Sequence, residues 1–438
     1  MTIHPEMSTD ALGDRTAAAP GPWPALMDNP IRNYEWGSTT TLARLQGRPP
    51  SGLPEAELWM GAHPSSPSRL LPPPGDEGGP GIGVAGLDDL IASRPLDILG
   101  ARVHDRFGAR LPFMLKILAI AQPLSVQVHP TGARARSAFA GEADVPGEHV
   151  YVDPYPKPEM LYALEPIDAM CGFRSADEAR RLLALIGGAR MAEIASTLDG
   201  DDSEEERIEA AFERLVTWSA DDRADLATEV GAASRRLLAG AGPQLAGRIP
   251  AADRRALTWA SRLAVQHPKD PLVAAPFLLD VVQLQPGETL FVPAGAPHCY
   301  LAGLGVEILG NSDNVLRAGL THKTIAVEEL LNIVHGGTRP QRDIPETWVS
   351  PNEVLWAPGV AEFRLSRVWL HDQAPVAAYP HVAGPQVVLC TAGGVRVECG
   401  GHDVYLTPGQ SAFIGATGGP VTLTGVGEVF RAFTGDVG

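Results

Sequence analysis

The chain has 438 residues, too long for one compact core, so two or three domains are expected. Its formal net charge of −17 sets it against nucleic acid or an anionic membrane as main partner, although a local basic pocket for a small anion remains compatible. Abundant glycine and proline, 47 and 40 residues, make turns frequent and favour a β-rich architecture over a helical bundle.

Residues 1–20 are small, polar and proline-punctuated, and read as a disordered tail. Glu6, Asp10 and Asp14 precede any apolar stretch, so no signal peptide is expected. No apolar run approaches the roughly 20 residues that span a bilayer. The four cysteines, Cys171, Cys299, Cys390 and Cys399, are scattered without a CxxC pair and read as reduced thiols, which points to a cytoplasmic protein.

From Tyr34 onward short apolar runs alternate with proline and glycine turns. Within 111–130, LPFMLKILAI is followed by a Gln-Pro break and LSVQVHP. Val126 and Val128 alternate with Gln127 and His129, a period of two that puts the amide and the imidazole on one face of a strand. That polar face must look into water or a ligand pocket.

The texture turns helical between about 175 and 266. Leu182, Leu183 and Ile186 recur at helical spacing, as do Ile208, Phe212, Leu215 and Val216, then Leu257, Trp259 and Leu263. Ser203 followed by Glu206 predicts a capping box at the second of these segments. Glycine/proline clusters such as GAGPQLAG separate the helices, and the acidic run 199–206 reads as a solvated loop and helix start. Strand texture returns at about 277 and lasts to about 334. A last block, roughly 345–438, reads as a second all-β domain.

A cryptic repeat links the two β blocks. PGETLFVPAGAPH at 286–298 aligns without gaps to PGQSAFIGATGGP at 408–420, with His298 meeting Pro420. This favours a duplication in which the second copy has lost its histidine.

Gly287-x5-Pro293-x-Gly295-x2-His298 is similar to the second signature motif of the cupin superfamily of small jelly-roll barrels. The glycines permit tight turns, the proline ends strand pairing and the histidine is aimed inward. Where the first motif of that superfamily gives two histidines one residue apart and then a glutamate, this chain has Gln127 and His129, and much later Glu159. Two imidazoles, one carboxylate and one amide oxygen suit a single Zn2+ with room for water or substrate. Singly, each of these residues is more often structural. The spacing around His298 makes the metal the stronger reading.

Together the motifs resemble one family, type I mannose-6-phosphate isomerase (phosphomannose isomerase). The matching segments are YEWG at 34–37, AELWMGAHP at 56–64, LPFMLKIL with LSVQVHP, KPEM at 157–160, and GAPHCYLAGLGVEILGNSDNVLRAGLTHK at 295–323. The resemblance implies zinc ligands at Gln127, His129, Glu159 and His298, and hence a helical insertion that Glu159 and His298 must meet across. It implies a fold that is mainly β, with two cupin-type jelly-roll barrels plus the helical domain. The expected division is a catalytic barrel from 21–172 and 268–335, an inserted helical domain at 173–267, and a degenerate C-terminal barrel without metal at 336–438.

The implied activity is interconversion of mannose 6-phosphate and fructose 6-phosphate through an enediol, with a hexose 6-phosphate as the small-molecule partner and a monomer or homodimer as the form. Such chemistry needs a base for a carbon-bound proton, a cation near the reacting carbons and anchors for the phosphate. Similarity places Arg317 as the cation, Glu307 and Lys157 as proton-transfer candidates, and His63 as an aid to ring opening. Ser125, Lys116 and Lys323 are candidate phosphate or sugar contacts, Asp313 an orienting partner, and Trp36 and Tyr300 pocket walls. Trp36 and Trp59 are as readily plain core. Glu35 stands where the family has aspartate, and Pro156 where it has a histidine, so no duty of that histidine carries over. A different metal-dependent cupin enzyme, such as an iron dioxygenase, fits the amide ligand and the basic residues poorly. A non-catalytic sugar-binding or regulatory cupin is disfavoured by the presence of both the ligand set and Arg317.

Overall fold

A computed structural model describes residues 24–71, 86–142, 149–240, 249–342, 344–372, 375–377 and 384–435. The expected N-terminal tail and the glycine/proline cluster at 241–247 lie outside them. The chain forms two antiparallel sheets with a helical block between strands of the first.

In the first sheet the order is Thr289–Val292, Glu159–Ala163, His298–Gly310, Phe113–Ile120, Glu57–Met60 and Ile31–Arg32. His298–Gly310 is the shared element. Its later residues pair with Phe113–Ile120 and Glu159–Ala163, and its first residues with Val126–Val128 and Ile167–Phe173. A register shift between Tyr300 and Ala302 lets one strand serve both groups of neighbours.

Period-two alternation decides what each strand shows to each side. Leu58, Leu115, Ile117, Met160, Val306 and Ile308 enter an apolar core shared with the C-terminal sheet. Glu57, Lys116, Glu159 and Glu307, which alternate with them, face the other way, into a pocket.

The helices Ala176–Ile186, Ala189–Ser196, Glu204–Val216, Arg223–Gly240 and Ala251–Gln266 follow the predicted apolar spacing, and Leu182, Phe212, Leu257 and Leu263 are fully buried in one cluster. The Ser203/Glu206 capping box forms, and so does a second at Ser175/Glu178 that the sequence reading passed over. The strands that flank this block, Ile167–Phe173 and Leu279–Leu284, pair with each other. The helices are therefore spliced into what would otherwise be one hairpin. Val126 and Val128 bury themselves in the helical cluster, which frees Gln127 for the opposite face, as the alternation predicted.

The second sheet runs Glu346–Ser350, Glu353–Trp356, Arg364–Leu370, Val421–Phe433, Gln386–Cys399, Ser411–Ile414, Ala25–Asp28 and Arg69–Leu70. Two of these strands come from the N-terminal segment that was expected to belong to the first barrel. Ala25–Asp28 lies between Ser411–Ile414 and Arg69–Leu70, pairing Ala25 with Phe413 and Met27 with both Ser411 and Leu70.

The repeat noted in the sequence has a counterpart in the topology. Thr289–Val292 and Ser411–Ile414 are each four residues, and His298–Gly310 and Val421–Phe433 are each thirteen. In both sheets the short strand and the long one share a common neighbour. The second long strand starts one residue after Pro420, whose missing N–H keeps it out of the ladder.

Candidate active site

The site is built around the junction of Val126–Val128 and His298–Gly310. His298 lies opposite Gln127 in register, and Gln127 lies opposite Arg317 on Leu316–Gly319. Gly295, in the turn before His298, has φ +80, and its N–H donates to the carbonyl of His129 at 2.9 Å. The motif glycine thus ties the two histidine segments together in a backbone conformation that side chains rarely adopt.

His129, Glu159 and His298 converge, with donor atoms all within 4.8 Å of one another, and all three are buried. Each histidine Nδ1 faces a backbone carbonyl, His129 that of Asn314 at 2.9 Å and His298 that of Ala296 at 3.1 Å. A carbonyl only accepts, so each Nδ1 carries a proton, and Nε2 is the atom turned toward Glu159. The His129 Nε2 lies 3.2 Å from one Glu159 oxygen, yet its alignment makes no hydrogen bond. The His298 Nε2 lies 3.3 Å from the other oxygen. Two ring nitrogens and a carboxylate that converge in this way form a cluster able to hold a metal ion.

The electrostatics agree. Burial, reinforced by Lys157, lowers the His129 pKa to about 4, so the ring is neutral at physiological pH. Burial alone would raise the Glu159 carboxyl, but Lys157, at 3.1 Å, and the histidines outweigh it and hold it well below the usual range. The Gln127 amide nitrogen donates to Ser125 Oγ at 3.1 Å, which leaves the amide oxygen as the acceptor atom of this side chain. Two imidazoles, a carboxylate and an amide oxygen are a donor set that zinc accepts.

Beside this cluster lie Lys116, Glu307, Glu57 and Tyr300. Lys116 Nζ sits 3.2 Å from Glu57 and 3.5 Å from Glu307. Burial opposes its charge, but Glu57, Glu307 and Glu159 together raise its pKa and keep it an ammonium. Glu307 is the reverse case: burial and then the Glu159 charge push its pKa up to about 7, against the pull of Lys116. The Tyr300 phenol is raised well above its ordinary value, first by burial and then by Glu159 and Glu307. Glu57 is the residue that the sequence reading missed. Its signal was present in AELWM, where it alternates with Leu58 and Met60, and Trp59 Nε1 donates to it.

Not every sequence candidate joins this pocket. Ser125, Lys116, Lys157, Tyr300 and Glu307 line it with Gln127, Glu159 and His298, in a space of about 390 Å3. Trp36 packs half-buried against the cluster that contains Tyr300. Arg317 is half-buried, and burial lowers its pKa while Tyr34 opposes that. His63 and Asp313 form a pair at 3.2 Å that lines a neighbouring cavity with Arg110 and Asp153. The His63 ring meets Trp59 edge-on at 4.9 Å. Lys323 is exposed and lines a third cavity, by the end of helix Ala251–Gln266, so it does not join Lys116 and Ser125. The chain turns at Leu320, with φ +56 and its N–H held by Asp270 at 2.6 Å, and this carries 321–323 toward the helical block.

Residues 26–176 match the family model for the catalytic domain of type I phosphomannose isomerase. Mannose-6-phosphate isomerase of Escherichia coli K12 is 36% identical over 412 residues, covering 92% of this chain and 98% of the relative. The chain belongs to the mannose-6-phosphate isomerase family. Crystal structures of family members superpose along most of its length. An arginine-to-alanine mutant of phosphomannose isomerase from Salmonella typhimurium has a TM-score of 0.80 at 32% identity, covering 94% of this chain and 99% of the other. A mannose 6-phosphate isomerase bound with zinc and yttrium has a TM-score of 0.79 at 31% identity, covering 94% and 100%. The mainly β architecture with a helical block is the phosphomannose isomerase fold. All four cysteines are buried and free, and no helix among the described residues is long and apolar enough to cross a membrane.

Proposed function

We propose that this member of the mannose-6-phosphate isomerase family interconverts mannose 6-phosphate and fructose 6-phosphate, with one Zn2+ held by Gln127, His129, Glu159 and His298. The observation that carries the metal is the convergence of the His129 and His298 Nε2 atoms on the two oxygens of the buried Glu159 carboxylate, with all donor atoms within 4.8 Å of one another. Zinc, when bound, supplies a Lewis acid for the carbonyl and hydroxyl oxygens of the open-chain sugar.

The protein's own groups do the rest. Glu307 is poised near neutrality, the condition under which a carboxyl can take a proton and return it. In this reading its carboxylate takes the C2 proton of the aldose and delivers it to C1. The C2 hydroxyl proton passes meanwhile to O1, so the enediol resolves to the ketose with no net change in atoms. Lys116 stays charged beside Glu307 and favours negative charge developing on the sugar oxygens. Lys157 is the second proton-transfer candidate and is held close to Glu159. Arg317, in register with Gln127, is the further cation we assign to charge developing on the substrate, with Ser125 a donor to substrate oxygens. His63, backed by Asp313, aids ring opening from the adjoining cavity. The long-strand repeat supports reading both sheets as cupin-type jelly-roll barrels, with 173–267 inserted in the first and the C-terminal one lacking the metal histidine. The location we infer is cytoplasmic.

The test is a coupled assay of hexose phosphate interconversion on purified protein, repeated after chelation and after zinc return. Activity that disappears and comes back is expected. Zinc-replete protein with no turnover would refute the isomerase reading and favour a sugar-binding role.

A further inference from the structure

We propose that Asp153 is a positioning residue for the metal centre, whose carboxylate locks together the two segments that orient His129 and Glu159; this rests on the zinc reading above.

The segment that enters the Glu159 strand is DPYPKPE at 153–159, with Pro154, Pro156 and Pro158 at alternate places. Three missing N–H groups prevent it from pairing as a strand on that side, so its position has to be fixed by other means. Asp153 supplies them. Its Oδ1 accepts from Tyr155 N–H at 2.9 Å, Ser312 Oγ at 2.8 Å and the Asn314 amide at 3.1 Å. Its Oδ2 accepts from Asp313 N–H at 2.9 Å. One carboxylate therefore gathers four donors, one from its own segment and three from the loop 312–314.

Asn314 transmits the arrangement to the metal. Its side chain is fully buried and donates also to the carbonyls of Asp153, at 2.7 Å, and Tyr155, at 3.0 Å, while its oxygen accepts from Val152 N–H at 3.0 Å. Its own carbonyl is the acceptor that fixes the tautomer of His129. On the other side, Tyr155 leads directly to Lys157 and Glu159, and Gly310 N–H holds the Pro158 carbonyl at 2.9 Å. A Cβ on Gly310 would lie 2.8 Å from the Pro156 carbonyl, so the two segments run in close contact. Asp153 touches no ligand atom. It acts through the carbonyl that aims one imidazole and through the backbone that delivers the carboxylate.

The test is zinc affinity by chelator competition, on full-length wild type, Asp153→Asn and Ser366→Ala. Ser366 donates to Glu353 in the core of the far sheet, so its truncation reports general destabilisation. Asp153→Asn keeps the size but loses the charge, and should weaken zinc by about 10–100-fold. Its turnover should return toward wild type at saturating zinc, while Ser366→Ala should keep wild-type affinity. Equal zinc affinity in Asp153→Asn and wild type, with wild type binding one zinc, would overturn the proposal and leave the metal reading standing. Weakening of equal size in Ser366→Ala would also overturn it. Wild type that binds no zinc would instead sink the metal reading beneath it.

Discussion

Truncating His298 to alanine separates the metal from every other contribution to the site. Four-ligand structural zinc sites are worth about 10–16 kcal/mol, so one ligand of four is worth about 3–4 kcal/mol, or ~10²–10³-fold in Kd. His298 already lines the open pocket, so its removal enlarges a wet space rather than a dry void, and the metal-free fold should change little. At free zinc about 100-fold above the wild-type Kd, binding stabilises wild type by about 2.7 kcal/mol, and the variant by a few tenths. An unfolding entropy of about 2.1 cal/mol/K per residue over the 438 residues converts that into about 3 °C of Tm for wild type. Thermal scans with zinc and with chelator should show this shift in wild type and almost none in His298→Ala. Metal content after gel filtration should fall from one zinc per chain to a small fraction. A variant that keeps one tightly bound zinc would refute the assignment, whatever its activity.

Other outcomes follow from the charges. The folded pKa of His129 is depressed to about 4, so the unfolded chain binds more protons below about pH 6.5, and stability must fall as pH drops from 6.5 to 4. The fall is roughly 3 kcal/mol in chelated protein, measured by denaturant melts as the difference between wild type and His129→Asn; parallel pH profiles would contradict it. Lys116→Met leaves Glu57 and Glu307 buried without their shared cation, and should lose turnover at least 10²-fold with zinc still bound. Retained kcat would remove Lys116 from the chemistry. In the second sheet, Arg431 and Glu353 are both fully buried and paired at 2.6 Å. Arg431→Ala should lower unfolding free energy by about 3–5 kcal/mol in urea melts without touching zinc affinity, and a loss under 1 kcal/mol would show the pair to be dispensable.

The parts of the site that follow local rules were legible in the sequence. The alternation of Val126 and Val128 with Gln127 and His129 is a period-two statement, and the Gly295 turn that aims His298 is a conformational one. The helices announced themselves by spacing and by the Ser203 capping box. Glu57 stayed hidden because its importance arises only when Trp59 comes into register with Lys116 from a distant segment. Lys323 lines a separate cavity because the chain turns at Leu320, just past the strand Leu316–Gly319, and no pattern in AGLTHK marks that turn. The transfer of Ala25–Asp28 and Arg69–Leu70 to the far sheet was equally invisible, since strands of four and two residues carry too little pattern to name their partner.

The splicing of the helical block between two paired strands also fixes when the site can exist during synthesis. Glu159 leaves the ribosome long before His298, and the sheet cannot close on them until the whole block between Ile167–Phe173 and Leu279–Leu284 has been made. Until those helices fold, Val126 and Val128 have nothing to pack against, and the strand between Ser125 and His129 has no reason to present Gln127 on the correct side. The long sequence separation makes ligand assembly a late event in folding. On the zinc reading, metal binding doubles as a completeness check: a nascent or truncated chain that lacks the block's far end holds three of the four proposed ligands and lacks His298, which closes the set.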